Sequence, residues 1–95
     1  DESCVGYGQK TGPEIVEFYI TMPANGAPAT YGNGTQISFL SNTRAEVDKF
    51  HATGIENGGV CEGLPGLRPK GATTYYSYVR DLNGNKVCAY TESKD

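Results

Sequence analysis

An Asn-Gly pair between two strand-forming runs constrains this chain more than any other feature. The stretch reads YVRDLNGNKVCAY, and the pair Asn83-Gly84 separates residues 75–80 from residues 86–91. Asn and Gly readily adopt the left-handed backbone that a tight hairpin turn requires, and both flanking runs are rich in β-branched and aromatic residues. The sequence therefore predicts a closing β-hairpin, with Cys88 in its second strand.

Composition favours a small, sheet-rich domain. The 95 residues include thirteen glycines and five prolines but no tryptophan, which is typical of short elements joined by turns. The formal charge is −3, and Lys and Arg are scattered singly along the chain, so a nucleic acid or an anionic membrane is not an expected partner. No apolar run approaches the roughly 20 residues of a membrane span.

The cysteines and the single histidine offer little chemistry on their own. Cys4, Cys61 and Cys88 are odd in number and show no C-x-x-C spacing, which argues against a disulfide framework or a zinc knuckle. A reducing, cytoplasmic setting fits them best. We interpret the three thiols as small buried hydrophobes, and His51 as a helix residue at the rim of the core.

The remaining elements alternate between strand and helix. Thr43 and Glu46 form a capping-box pattern, which predicts a helix that continues to the glycines at 58 and 59. Residues 60–74 carry too many Gly and Pro for more than a short edge strand, and are expected to form a long loop. Further strands are expected at residues 3–7, 15–22 and 35–40. The pattern predicts an α+β fold with one helix on a mostly antiparallel sheet.

Three segments resemble a known superfamily when their order and spacing are considered together. They read GTQISFLSNTRAEVDKFHATGIENGG, GLPGLRP and YYSYVRDLNGNKVCAY, and they cover residues 34–91. They resemble the second half of the vicinal oxygen chelate superfamily, which includes glyoxalases, bleomycin-resistance proteins and extradiol dioxygenases. Members of that superfamily pair two βαβββ modules, each a curved half-cup, around a small-molecule site.

The resemblance implies a division of the chain. Residues 1–95 would form a single glyoxalase/bleomycin-resistance-like domain, with residues 34–95 as its second module. Residues 1–33 would hold the last two strands of a first module and a linker. The earlier part of that module is expected to be missing here, either because it exists only in the native protein or because the chain is a shortened variant. An incomplete first module would leave a sheet edge and apolar area uncovered, so we expect a homodimer.

The resemblance also implies where a metal would bind in an active relative. Those positions fall at Gln36, where His is usual, and at Cys88, where Glu is usual. A thiol in place of a carboxylate removes a hard oxygen ligand that suits Mg²⁺, Mn²⁺ or Fe²⁺. We therefore expect a degenerate site with no resident cofactor, while a bound divalent metal remains the alternative.

The favoured function is the binding of a small organic molecule in the cup. Residues 62–70 would form its rim or lid, and Arg68 would either receive an anionic group or brace that loop. The expected ligand-binding residues are Gln36, Ser38, Arg68, Tyr76, Tyr78, Cys88 and Tyr90.

Two other functions stay open at this point. The first is a metal-dependent glyoxalase-like lyase or isomerase, or a dioxygenase, in which Glu17 supplies a catalytic carboxylate. The second is a purely structural or regulatory module with a filled cup. Substrate identity does not follow from fold resemblance, because one fold hosts many chemistries.

Overall fold

The computed structural model describes residues 4–13, 15–69 and 71–95 and places one helix and six strands in them. In chain order the elements are β1 (Cys4–Gly8), β2 (Val16–Thr21), β3 (Gln36–Leu40), α1 (Arg44–Glu56), β4 (Val60–Leu67), β5 (Tyr75–Arg80) and β6 (Lys86–Thr91). The α+β class expected from the sequence is confirmed. Residue 3, expected to begin the first strand, lies outside the described residues, and so does Lys70.

The strands form two separate sheets. β1 and β2 make an antiparallel two-stranded hairpin, and the other four strands are ordered β3-β6-β5-β4. Within this second sheet β3 runs parallel to β6, whereas β4 with β5 and β5 with β6 are antiparallel. The succession of β3, α1, β4, β5 and β6 is therefore a βαβββ module. How the chain divides into modules and linker remains a prediction.

Helix α1 begins where the capping-box pattern predicts. The Thr43 side chain accepts a hydrogen bond of 3.2 Å from the backbone N–H of Glu46. This bond satisfies one of the donors that a helix N-terminus otherwise leaves without a partner. At the other end Gly58 has a φ of 96°, a left-handed conformation that favours glycine after a helix.

The core lies between α1 and the middle of the four-stranded sheet. Val47 is fully buried, and its carbonyl oxygen accepts a 3.1 Å hydrogen bond from the hydroxyl of Ser77 in β5. Two helical turns further, Gly54 faces Val79: a Cβ added to this glycine would lie 3.2 Å from a Val79 methyl carbon. The small residue thus lets the helix approach the sheet closely.

The prediction of a long loop at residues 60–74 was wrong in its first half. Residues 60–67 form β4, so most of the expected rim or lid belongs to the sheet. Proline is tolerated in an edge strand, where its missing N–H leaves no partner unpaired, and β4 is such an edge. Its pairing with β5 is irregular between Cys61 and Gly63 and again between Gly63 and Gly66, as in strands interrupted by bulges.

Within the described ranges, no helix is long and apolar enough to cross a membrane.

Truncating Val47 should destabilise the module. Val47→Ala removes two methyl groups from a fully buried position, and we expect the free energy of unfolding to fall by roughly 2 kcal/mol. Val60→Ala is the matched control, because Val60 is 62% exposed, and its effect should stay within about 0.5 kcal/mol. Urea unfolding followed by circular dichroism measures both variants. Equal losses would contradict the packing described for α1.

Candidate functional site

The face of the four-stranded sheet opposite α1 carries most of the chemistry. Side chains alternate across a strand, and residues that pair between neighbouring strands share a face. Ser38 pairs with Cys88, and Cys88 pairs with Tyr78, so the three form the central row of this surface. We call the surface the open face. Its residues from β3, β5 and β6 are Gln36, Ser38, Leu40, Tyr76, Tyr78, Arg80, Lys86, Cys88 and Tyr90.

Cys88 lies at the centre of the open face and is fully buried. Burial raises the pKa of its thiol above the ordinary value of 9.0, while hydrogen bonding to Ser38 and the charge of Lys86 act in the opposite direction. Burial disfavours the thiolate because the charge would lose its hydration. The thiol is therefore neutral near pH 7, and it forms a buried, uncharged centre of the open face.

Three tyrosines of the open face form an aromatic strip next to Cys88. The rings of Tyr76 and Tyr78 are stacked with centroids 5.7 Å apart, and those of Tyr76 and Tyr90 are 5.8 Å apart. Burial is the main cause of a raised pKa of the Tyr78 phenol. All three tyrosines of the strip are partly exposed.

Two cations lie next to the ring of Tyr78. The Arg68 guanidinium carbon is 5.3 Å from the ring centroid, and Lys86 Nζ is 5.1 Å from it. Arg68 is held there by hydrogen bonds to the carbonyl oxygens of Leu64, at 2.6 Å, and Tyr76, at 3.2 Å. In the described part of the chain, neither cation forms an ion pair with a carboxylate. These two cations therefore have no carboxylate counter-ion among the described residues.

Gly63 leaves the space that Arg68 and Tyr78 occupy. A Cβ at this position would lie 2.8 Å from Tyr78 Cδ2 and 3.0 Å from Arg68 Nη2. Real Cβ atoms essentially never come within 2.8 Å of another atom, so the Tyr78 ring would have to shift, and the Arg68 guanidinium would have to move by a few tenths of an ångström. The glycine in β4 is thus part of the arrangement that places the guanidinium over the ring.

The residues present do not fit a hard divalent metal. Gln36 donates a 3.0 Å hydrogen bond to Ser38 and pairs in register with Lys86, two residues away from Cys88. An ammonium group beside the site repels a cation, and a neutral buried thiol is a poor ligand for Mg²⁺ or Mn²⁺. No group of three or more His, Cys, Asp or Glu side chains that could hold a metal occurs within residues 4–13, 15–69 and 71–95.

The structure brings all but one of the predicted site residues onto or beside the open face. Arg68 follows β4 and reaches it, whereas Glu17 lies in β2, in the two-stranded sheet, with an exposed side chain. The roles of these residues in binding or catalysis remain predictions. Sequence reasoning missed Lys86 and Gly63. Lys86 could have been found, because it is two residues before Cys88 and alternation places it on the same face.

An apolar groove of about 1000 Å³ lies elsewhere, between the hairpin and the four-stranded sheet. It shares no residue with the open face, and the rings of Phe18 and Phe39 meet edge-to-face at 5.1 Å in its wall. Its polar lining includes Asp81, whose carboxylate already accepts hydrogen bonds from the backbone of the β5–β6 turn. Convergent charged and hydrogen-bonding groups favour the open face as the functional site.

Solved structures provide the comparison with known proteins. The chain is 43% identical to a glyoxalase/bleomycin resistance protein from Albidiferax ferrireducens T118, with a TM-score of 0.79 over 96% of this chain and 70% of that one. It is 27% identical to a hypothetical protein from S. aureus, with a TM-score of 0.56 over 63% of this chain and 50% of that one. No family model and no curated protein matches the sequence.

Substituting Gly63 should disturb the cation–tyrosine stack. In Gly63→Ala the new Cβ displaces Tyr78 and Arg68, and we expect a loss of about 1–3 kcal/mol in unfolding free energy. Gly66→Ala is the control in the same strand, because a Cβ there would have its nearest neighbour at 4.0 Å. Urea unfolding gives the energies, and the NMR shifts of the Tyr78 ring protons report the stack. Unchanged ring shifts in Gly63→Ala would contradict the packing.

The buried Cys88 thiol should make stability depend on alkaline pH. Because its pKa is raised in the folded protein, its stabilising contribution is complete below the ordinary pKa and is lost as the pH rises through the raised value. We expect the wild-type urea midpoint to fall between about pH 8 and pH 10. Cys88→Ala should be less stable at pH 7 but should lose less over this interval. Parallel pH profiles for both proteins would refute this expectation.

Proposed function

Because this chain belongs to the glyoxalase/bleomycin resistance family of the vicinal oxygen chelate superfamily, we propose that its open face binds a small organic anion with a planar, partly apolar body. The observation that carries the proposal is a pair of cations beside the ring of Tyr78, Arg68 and Lys86, neither of which is paired with a carboxylate of the described residues. Binding would proceed without a resident metal.

Charge supports an anionic group on the ligand. The guanidinium and the ammonium lie beside the same ring and form no ion pair with the described residues. A carboxylate or a similar anion would therefore form the strongest hydrogen bonds with them. Arg68 is already oriented by the carbonyl oxygens of Leu64 and Tyr76, so little side-chain entropy is lost when it binds.

The aromatic strip supports a planar body. Tyr76, Tyr78 and Tyr90 present neighbouring rings, and small-molecule sites are lined mainly by hydrophobic and aromatic side chains. Gln36 and Ser38, both exposed at the adjacent strand, supply hydrogen-bonding groups at the edge of the strip. A ligand with one charged end and one flat end matches this distribution of side chains.

Capture without chemistry is favoured over catalysis. A nucleophile or general base on the open face would need a free lone pair at neutral pH. Burial keeps the Cys88 thiol protonated, and the Glu62 carboxylate is paired with Arg80 at 3.0 Å. A lyase or dioxygenase activity that uses Glu17 or a bound metal would need a group of metal-binding side chains on the open face. The described residues supply no such group there.

A homodimer remains part of the proposal. Hairpin residues that would pack in a complete cup are exposed, with Val5 at 49%, Tyr19 at 58% and Ile20 at 57%. Apolar side chains at this density on one hairpin favour burial against another protein surface. A second copy of the chain would supply such a surface and narrow the opening of the binding site.

The proposal predicts selective binding of aromatic carboxylates. We expect 2-naphthoate to bind more tightly than 2-naphthamide, its neutral counterpart, by roughly tenfold, since a charge-assisted contact is stronger than a neutral one. Arg68→Gln and Lys86→Gln should each remove most of this preference. Calorimetric titration measures the affinities. Lys49→Gln is the matched control, because Lys49 is an exposed cation on α1, and it should bind as the wild type does.

Two outcomes would overturn the proposal. One is equal affinity for the carboxylate and the amide in all four proteins, which would remove the role of the cations. The other is stoichiometric binding of Mn²⁺, Fe²⁺, Ni²⁺ or Zn²⁺ that is lost in Gln36→Ala, measured by elemental analysis after desalting. That result would favour the metal-dependent enzyme over the binding protein.

A further inference from the structure

A second chemical feature lies on the opposite side of the sheet from the open face. His51 Nε2 of α1 and Cys61 Sγ of β4 are 3.1 Å apart, within hydrogen-bonding distance. Cys61 pairs in register with Val79, whose side chain packs against α1, so the contact forms on the helix-packed face. The proposed ligand site does not use either residue.

The two partners differ in exposure in a way that suits reactivity. His51 retains only 9% of its surface, so packing between helix and sheet fixes its ring. Cys61 is exposed, because β4 is the edge strand of its sheet. Cys61 therefore lies at the exposed edge of the sheet while the imidazole stays in contact with its sulfur.

The neighbouring carboxylates are occupied elsewhere. Asp48, one turn before His51 in α1, accepts a 2.6 Å hydrogen bond from the Tyr75 hydroxyl. Glu62, next to Cys61 in β4, is paired with Arg80. The Cys61 sulfur is thus the partner that the described structure gives to His51 Nε2.

The other two cysteines lack this arrangement. Cys88 is fully buried on the open face, and burial raises the pKa of its thiol. Cys4 is half-buried in β1 and cannot have such a partner, since His51 is the chain's sole histidine and lies against Cys61. Cys61 alone combines an accessible sulfur with a base in contact.

We propose that Cys61 and His51 form a reactive thiol pair that exchanges with low-molecular-weight disulfides. In the exchange, the Cys61 sulfur attacks one sulfur of the disulfide while its proton passes to His51 Nε2. The new S–S bond forms as the old one breaks, and the departing thiolate takes a proton from the imidazolium or from water. The products are a mixed disulfide on Cys61 and one free thiol, with no further oxidant.

The experiment compares each cysteine with itself in the folded and unfolded chain. Oxidised glutathione is the probe, and peptide-resolved mass spectrometry follows mixed-disulfide formation at each cysteine at one pH. We expect Cys61 to react at least roughly tenfold faster in the native protein than in the chain unfolded in urea, since a positioned base accelerates proton transfer. Native Cys88 should react far more slowly than unfolded Cys88, because it is buried.

Replacing the base provides the second measurement. His51→Gln keeps a hydrogen-bonding side chain of similar size without a basic nitrogen, and we expect the native rate at Cys61 to fall to the unfolded rate or below. Native Cys61 reacting no faster than unfolded Cys61 would overturn the proposal, as would an unchanged rate in folded His51→Gln. If this variant does not fold, the wild-type comparison decides alone. Naphthoate binding is measured separately and does not depend on the outcome.

Discussion

The contact of α1 with the centre of the four-stranded sheet decides which side chains are buried and which remain available. Val47 fills this interface, Ser77 is hydrogen-bonded to the helix backbone, and Gly54 allows the two layers to approach. Once the helix covers one face, strand alternation leaves the other face for the even-numbered residues of β5 and β6. The position of every group on the open face follows from this packing.

The packing of α1 on the sheet also places two chemically different sites on opposite faces of the same sheet. On the open face, two cations and three tyrosines surround a buried thiol, an arrangement that suits binding. On the helix-packed face, an exposed thiol meets a buried imidazole at the sheet edge. The backbone of β4 connects the two sites, because the strand that carries Cys61 also carries Gly63 and leads to Arg68.

Sequence reasoning succeeded where the local signal and the tertiary context agree. The Asn83-Gly84 turn, the cap at Thr43 and the strand phase at Cys88 are local patterns, and the structure keeps all three. It failed at β4, because Gly and Pro argue against a strand unless an edge position and an irregular pairing are known in advance. The contact of His51 with Cys61 was missed for the same reason. A residue assigned to a loop cannot be placed on either face of a sheet, so Cys61 was not expected to lie against α1.

The position of β6 has a consequence for how the protein is made. β6 lies between β3 and β5, although it follows both of them in the chain. During synthesis, β3 therefore leaves the ribosome with no neighbour to pair with until more than forty residues have followed, from Leu40 to Lys86. Such non-local pairing slows folding, because the chain loses the entropy of a long loop before the stabilising contacts between the strands can form. The β3 edge that β6 later covers therefore stays unpaired throughout that interval, and unpaired strand edges are prone to aggregation.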